Sequence, residues 1–316
     1  MLIEPLIFEP MEITTPSIEV AAKRKKLWLA ALKPPMYSVA IMPMLVGSLV
    51  AFAETQRLQA GIFVTFVVSA ILILAWENIS NDVFDSATGI DVNKHHSLVN
   101  LTGKKRLVFA IGNGCLGLGI AGIIAIALQQ QDPTVLVLIL LSCLLGYAYQ
   151  GPPFRLGYQG LGEILCFFAF GPLGVGAAYY SQTQSWSVGS QVAGVIIGIT
   201  TSLVLFCSHF HQVEDDIAAG KRSPIVRLGT QRGAQLIPWL CGLVLVLIVV
   251  AAIGGYLPLW SLLALLSGIS AIRLSLQALT YHDQPVKIFN LKFYAIGFHF
   301  WSGVLLSLGL VLPSVL

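Results

Sequence analysis

Nine apolar runs, each close to the length that crosses a bilayer, leave this chain few folds to choose from. They cover approximately 34–53, 60–84, 106–128, 133–150, 161–181, 190–210, 236–254, 258–280 and 290–312. A membrane helix needs about 20 apolar residues to span roughly 30 Å of hydrocarbon. The pattern predicts an all-α integral membrane protein, a bundle of nine transmembrane helices. Composition agrees: 10% of residues are charged and 56% hydrophobic, where a soluble domain carries about 25% charged residues. Lys and Arg concentrate before the first run (Lys23 to Lys26, Lys33) and after the second, fourth, sixth and eighth, while Arg57 alone falls on the other side. By the positive-inside rule the N-terminus and those loops are cytoplasmic. Residues 1–26 are expected to be a cytosolic, partly disordered lead-in, and 27–316 the membrane domain. No signal peptide is visible. The five cysteines lie singly in apolar runs, which implies neither a disulfide framework nor a zinc site.

Polar chemistry clusters on that same side. The stretch WENISNDVFDSATGIDVNK, Trp76 to Lys94, places Asn78, Asn81, Asp82, Asp85 and Asp91 at the end of the second run. At about 100° per residue, the first four share one helical face. Carboxylates at the edge of hydrocarbon are costly and mark function. Grouped carboxylates and amide oxygens suit a hard divalent cation, and Mg²⁺ typically takes one or two carboxylates, waters and phosphate oxygens. Lys94, His95 and His96 add positive charge beside the acids, so a metal–diphosphate complex fits better than a bare cation.

A second cluster, HFHQVEDDIAAGKR, runs from His209 to Arg222. Projected on a helix, His209, Gln212 and Asp216 share the inward face, which favours Asp216 over Asp215 as a metal ligand. Lys221 and Arg222 follow a glycine stop and can donate to phosphate oxygens. The third cluster is YAYQGPPFRLGYQGLGE, Tyr147 to Glu163. Tyr149 can face a cavity, Arg155 is the loop's one cation, and Glu163 enters the fifth run in need of a partner. The aromatics Phe293, Phe298, Phe300 and Trp301 read as packing or an interfacial belt. Acids confined to one side favour an enzyme over a transporter, whose sites lie near the midplane.

These motifs resemble the UbiA superfamily of membrane aromatic prenyltransferases, which has nine membrane helices and aspartate-rich motifs on the second and sixth. The Asp85-to-Asp91 spacing is similar to the naphthoate branch, and the HFHQVEDD and KHHSLVNLTG wording resembles its phylloquinone-pathway members in oxygenic phototrophs. The resemblance implies prenyl transfer, phytyl foremost, from a diphosphate to 1,4-dihydroxy-2-naphthoate with loss of the carboxylate. It implies Mg²⁺, with Mn²⁺ as a substitute, on Asp82, Asp85, Asp91, Asp216 and Asp215. Asp85, Asp91, Asp216 and Tyr149 would act in catalysis. Asn78, Asn81, Lys94, Arg155, Lys221, Arg222, His209 and Gln212 would bind diphosphate. Gln212 stands where the family carries its first aspartate, which weakens direct metal ligation there. The expected partners are a phytyl or longer prenyl diphosphate, the naphthoate and membrane lipid. Nucleic acid and an obligatory protein partner are not expected. The active side would face the cytoplasm, in a plasma membrane or thylakoid. Other acceptors (homogentisate, a chlorophyllide, hydroxybenzoate) and a cation-coupled transporter remain the alternatives.

Overall fold

A computed structural model describes residues 18–90 and 97–312, and within them the chain is helical with no strand. The apolar helices are α1 (Lys25–Thr55), α2 (Ala60–Thr88), α3 (Lys105–Gln130), α4 (Thr134–Gln150), α5 (Gly162–Thr183), α6 (Val188–His211), α7 (Thr230–Ile253), α8 (Leu259–Tyr281) and α9 (Pro285–Val311). Among the described residues, eight are long and apolar enough to cross a membrane, and α4, with 17 residues, is shorter. At 1.5 Å per residue α4 reaches about 25 Å. Asp91, Lys94, His95 and His96 lie outside the described residues.

Helix formation starts earlier than the apolar pattern suggested. A helix runs Ile18–Leu32, inside the segment expected as a lead-in, and meets a 3₁₀ turn at Pro34–Tyr37. Between them Lys33 takes a left-handed φ of 49°, which turns its side chain back toward the bundle.

The core divides in two. One cluster joins α2, α3 and α4 through Phe66, Ile123 and Ile139; the other joins α6 to α9 through Ile197, Ile248, Leu274 and Phe298. α1 and α5 belong to both, with Val46 and Val175 in one cluster and Met44 and Ala178 in the other. They are the partition between the halves. Their crossing is close: a Cβ at Gly47 would strike the Val175 carbonyl. α5 is also π-helical over Ala169–Val175, around Pro172. A Cβ on Gly171 would sit 2.6 Å from the Gly194 carbonyl of α6, so small residues set this spacing, as in other membrane interfaces. Outward faces are greasy, with Leu128, Trp239 and Ile253 all more than 70% exposed. Regular helices satisfy their own backbone bonds, which lets such faces stand in lipid.

Candidate active site at the acid-bearing end

α2 stays helical to Thr88, past the acids, before Gly89 ends it at φ 80°. The face expected to carry Asn78, Asn81, Asp82 and Asp85 is there, and it works at two depths. Asn78 and Asn81 line a cavity of about 980 Å³ between α1, α2, α4, α5 and α6. Asp82 and Asp85, nearer the helix end, are buried beside it. Asp82 Oδ1 lies 3.4 Å from Lys33 Nζ, and its Oδ2 accepts from the Leu98 amide at 3.0 Å. Asp85 Oδ1 accepts from the Tyr158 hydroxyl at 3.2 Å, and that hydroxyl is 2.7 Å from Thr88 Oγ1.

The second acid segment is not one continuous helix. α6 tightens into a 3₁₀ turn at His209–His211, and a separate helix runs Val213–Ala218. The expectation of a single inward face for His209, Gln212 and Asp216 is corrected accordingly. Gln212 stands half-buried at the break, where its carbonyl accepts the Asp216 amide at 2.8 Å. His209 and Asp216 still meet, because the break folds the short helix back. His209 Nδ1 is 3.3 Å from Asp216 Oδ2, and its Nε2 is 3.4 Å from Glu163 Oε1. Glu163 thus finds the partner its position demanded. Lys221 Nζ completes the cluster 3.2 Å from Asp216 Oδ1. Burial pushes the Asp216 carboxyl up, but the His209 contact and the Lys221 charge outweigh it and hold the group below the ordinary carboxylate range. Asp216 is fully buried, whereas Asp215 is half-buried and Arg222 is exposed at the rim.

The loop between α4 and α5 joins the two acid segments. Tyr149 lines the cavity as expected, but Tyr158 is the residue that makes the connection. Its hydroxyl reaches Asp85, its carbonyl accepts from the Arg222 amide at 2.8 Å, and Lys221 Nζ lies 5.9 Å from its ring centroid. Burial first, and then the charge of Asp85, push its phenol above the usual tyrosine range, so it stays a donor. Arg155, at φ 43°, buries its Nε without a hydrogen-bond acceptor. Sequence reasoning read Lys33 as a topology anchor and overlooked Tyr158, Lys292, which also lines the cavity, and Glu77. No one-dimensional signal marks the first three. Glu77 could have been found, since it sits one turn before Asn81 on α2.

Buried polar atoms without hydrogen-bond partners gather here: Asn78 Nδ2, Asn81 Oδ1 and Arg155 Nε. Such atoms cost about 1–3 kcal/mol each unless a ligand satisfies them. Among the described residues no three His, Cys, Asp or Glu side chains converge tightly enough to cage a metal alone. The carboxylates of Asp82, Asp85 and Asp216 and the amide oxygens of Asn78 and Asn81 are hard oxygen donors, a set that fits a hard divalent cation. A second, apolar cavity of about 520 Å³ continues from the first, sharing Leu74, Trp76, Glu77 and Phe170 with it.

Residues 40–304 match the UbiA prenyltransferase family. The chain is 51% identical to 2-carboxy-1,4-naphthoquinone phytyltransferase of Synechocystis sp., over 92% of this chain and 94% of that protein. It is 42% identical to the chloroplastic enzyme of that name from Arabidopsis thaliana, over 92% of this chain and 78% of the relative. Its fold is similar to a UbiA homolog from Archaeoglobus fulgidus bound to GPP and Mg²⁺, with a TM-score of 0.54 at 18% identity, covering 89% of this chain and 99% of the other.

Proposed function

The chain belongs to the UbiA prenyltransferase family, and from that premise we propose that it transfers a phytyl group from its diphosphate to 1,4-dihydroxy-2-naphthoate. The acceptor loses its carboxylate as the ring is alkylated. The Synechocystis and Arabidopsis relatives are named for the quinone form of the same carboxynaphthalene skeleton. One observation carries the reading: Ser80 and Asn81, beside Asp82, and Ser208, beside His209, line a single cavity that runs on into an apolar one. A diphosphate head at the acid end and a lipid tail below it match that gradient.

Asp82, Asp85, Asp91 and Asp216, with Asp215 nearby, would hold a divalent cation, Mg²⁺ or Mn²⁺, that neutralises charge on the leaving diphosphate. Lys94, Lys221, Arg155 and Arg222 add charge-assisted donors to its oxygens. Asn78, Asn81 and Gln212 would orient it with their amide groups, and His209, the sequence's further candidate for that role, fixes the Asp216 carboxylate from between Asp216 and Glu163. Tyr158 fixes Asp85, and Lys33 fixes Asp82. Tyr149 and Phe84 wall the space beneath, where the C–O bond to the prenyl group breaks and the electron-rich ring attacks. A dry apolar wall keeps water from trapping the allylic cation. In this reading all nine apolar helices cross the membrane, α4 as a short span. The acid end and the N-terminus face the cytoplasm, in a plasma membrane or thylakoid, and 27–316 form the catalytic domain.

The test is an assay of membranes carrying the protein, supplied with Mg²⁺, dihydroxynaphthoate and prenyl diphosphates from C10 to C40 and read by mass spectrometry. A decarboxylated phytyl naphthoquinol is the product expected. Absence of any covalent product with every donor would overturn the reading.

A further inference from the structure

Glu77 sits on α2 where the larger cavity meets the smaller, apolar one, and it lines both. No hydrogen bond or ion pair reaches it from any described residue. Space is kept for it: a Cβ on Gly146 of α4 would lie 3.2 Å from Glu77 Oε1. Its surroundings are Leu74, Trp76, Cys166 and Phe170. A carboxyl group placed there without a partner costs several kcal/mol in order of magnitude, so the site is built for a donor that arrives from outside.

We propose that Glu77 is an acceptor-binding residue, whose carboxyl receives the ring hydroxyl of the aromatic substrate. The inference rests on the reading above, that an aromatic acceptor lies beneath a prenyl diphosphate. Depth supports it. Asp85 follows Glu77 by eight residues, which places Glu77 about 12 Å further into the bundle along the helix axis. That is below the diphosphate head and level with the reacting carbons. Chemistry supports it equally. The cations that would hold the diphosphate, Lys221 and Arg155, cluster at the acid end. The prenyl tail has no donor to offer. Of the two substrates only the aromatic ring carries O–H groups, and its faces can stack on Trp76 and Phe170, which line both cavities.

The experiment uses the full chain in lipid vesicles with Mg²⁺ and compares wild type with Glu77→Leu and Glu77→Gln. Leaving a buried polar group unsatisfied supports a change of about 10- to 100-fold. Glu77→Leu should raise the KM for the acceptor by that factor, while the KM for phytyl diphosphate stays within about twofold of wild type. Glu77→Gln, which keeps a carbonyl acceptor, should recover part of the loss. As competitors, a 4-hydroxy-2-naphthoate should bind wild type more tightly than its 4-methoxy analogue, and Glu77→Leu should not distinguish them. Unchanged acceptor KM in both variants overturns the proposal, as does a parallel rise in both KM values. Should Glu77→Leu not insert, Glu77→Gln and the wild-type hydroxyl-against-methoxy comparison still decide it. A wild-type protein that prenylates no acceptor defeats the proposed function instead, so the two failures are distinct.

Discussion

The Tyr158 hydroxyl donates to Asp85 Oδ1 at 3.2 Å, tying the loop between α4 and α5 to the acid end of α2. The same tyrosine's carbonyl accepts from Arg222, so one residue holds both acid segments in register. Tyr158→Phe removes the bond to Asp85 and keeps the ring. The net worth of such a bond is about 1–3 kcal/mol. Activity should fall about 10-fold or more while thermal melting of the detergent-solubilised protein moves little. An unchanged rate would show that Asp85 needs no such support.

Lys33 and Asp82, 3.4 Å apart across 49 residues, make a second testable pair. Lys33→Met and Asp82→Asn should each lower prenyl-transfer activity. Residues in contact couple, so the double variant should be no worse than Asp82→Asn alone. Effects that multiply would show that Lys33 acts independently of Asp82.

At the opposite end of the bundle Asp132 caps α4. It accepts from the Thr134 hydroxyl at 2.6 Å, the Thr134 amide at 2.9 Å and the Tyr180 hydroxyl at 2.8 Å. The Thr134 hydroxyl bond foremost, then the Thr134 amide and Tyr180, hold its carboxyl below the usual range. A carboxyl whose folded value is depressed stabilises the fold above its unfolded value, near 3.9. That stability is lost as pH falls through the lower folded value. Melting curves should therefore show wild type losing more stability than Asp132→Asn between pH 5 and pH 3. Parallel losses would contradict the cap.

How much of this could be read from the sequence depends on the reach of each interaction. The apolar runs and the Asn78–Asp85 face are properties of single helices, and one-dimensional periodicity reports them. His209 and Asp216 were paired for an incomplete reason, since a 3₁₀ turn interrupts the helix assumed between them. They meet because the chain folds back, and Gln212 is left at the break. Lys33 was invisible as a partner of Asp82, because its left-handed backbone and the 3₁₀ turn at Pro34–Tyr37 decide where it points. Tyr149 and Tyr158 share one loop rich in Pro and Gly, and only tertiary packing separates a cavity wall from a tether. Glu77 was passed over for the opposite reason. It stands among acids with an evident role, and its lack of a partner among the described residues is a fact of the fold.

The central claim is that two acid segments share one diphosphate site. It is tested most directly by Asp85→Asn and Asp216→Asn, made separately and assayed in vesicles for Mg²⁺-dependent diphosphate release and phytyl product. Losing one preorganised electrostatic contact at a reacting centre costs about 10²- to 10³-fold. Each variant should insert and fold yet lose at least about 100-fold in both readouts. Wild-type rates in either variant would contradict the shared site.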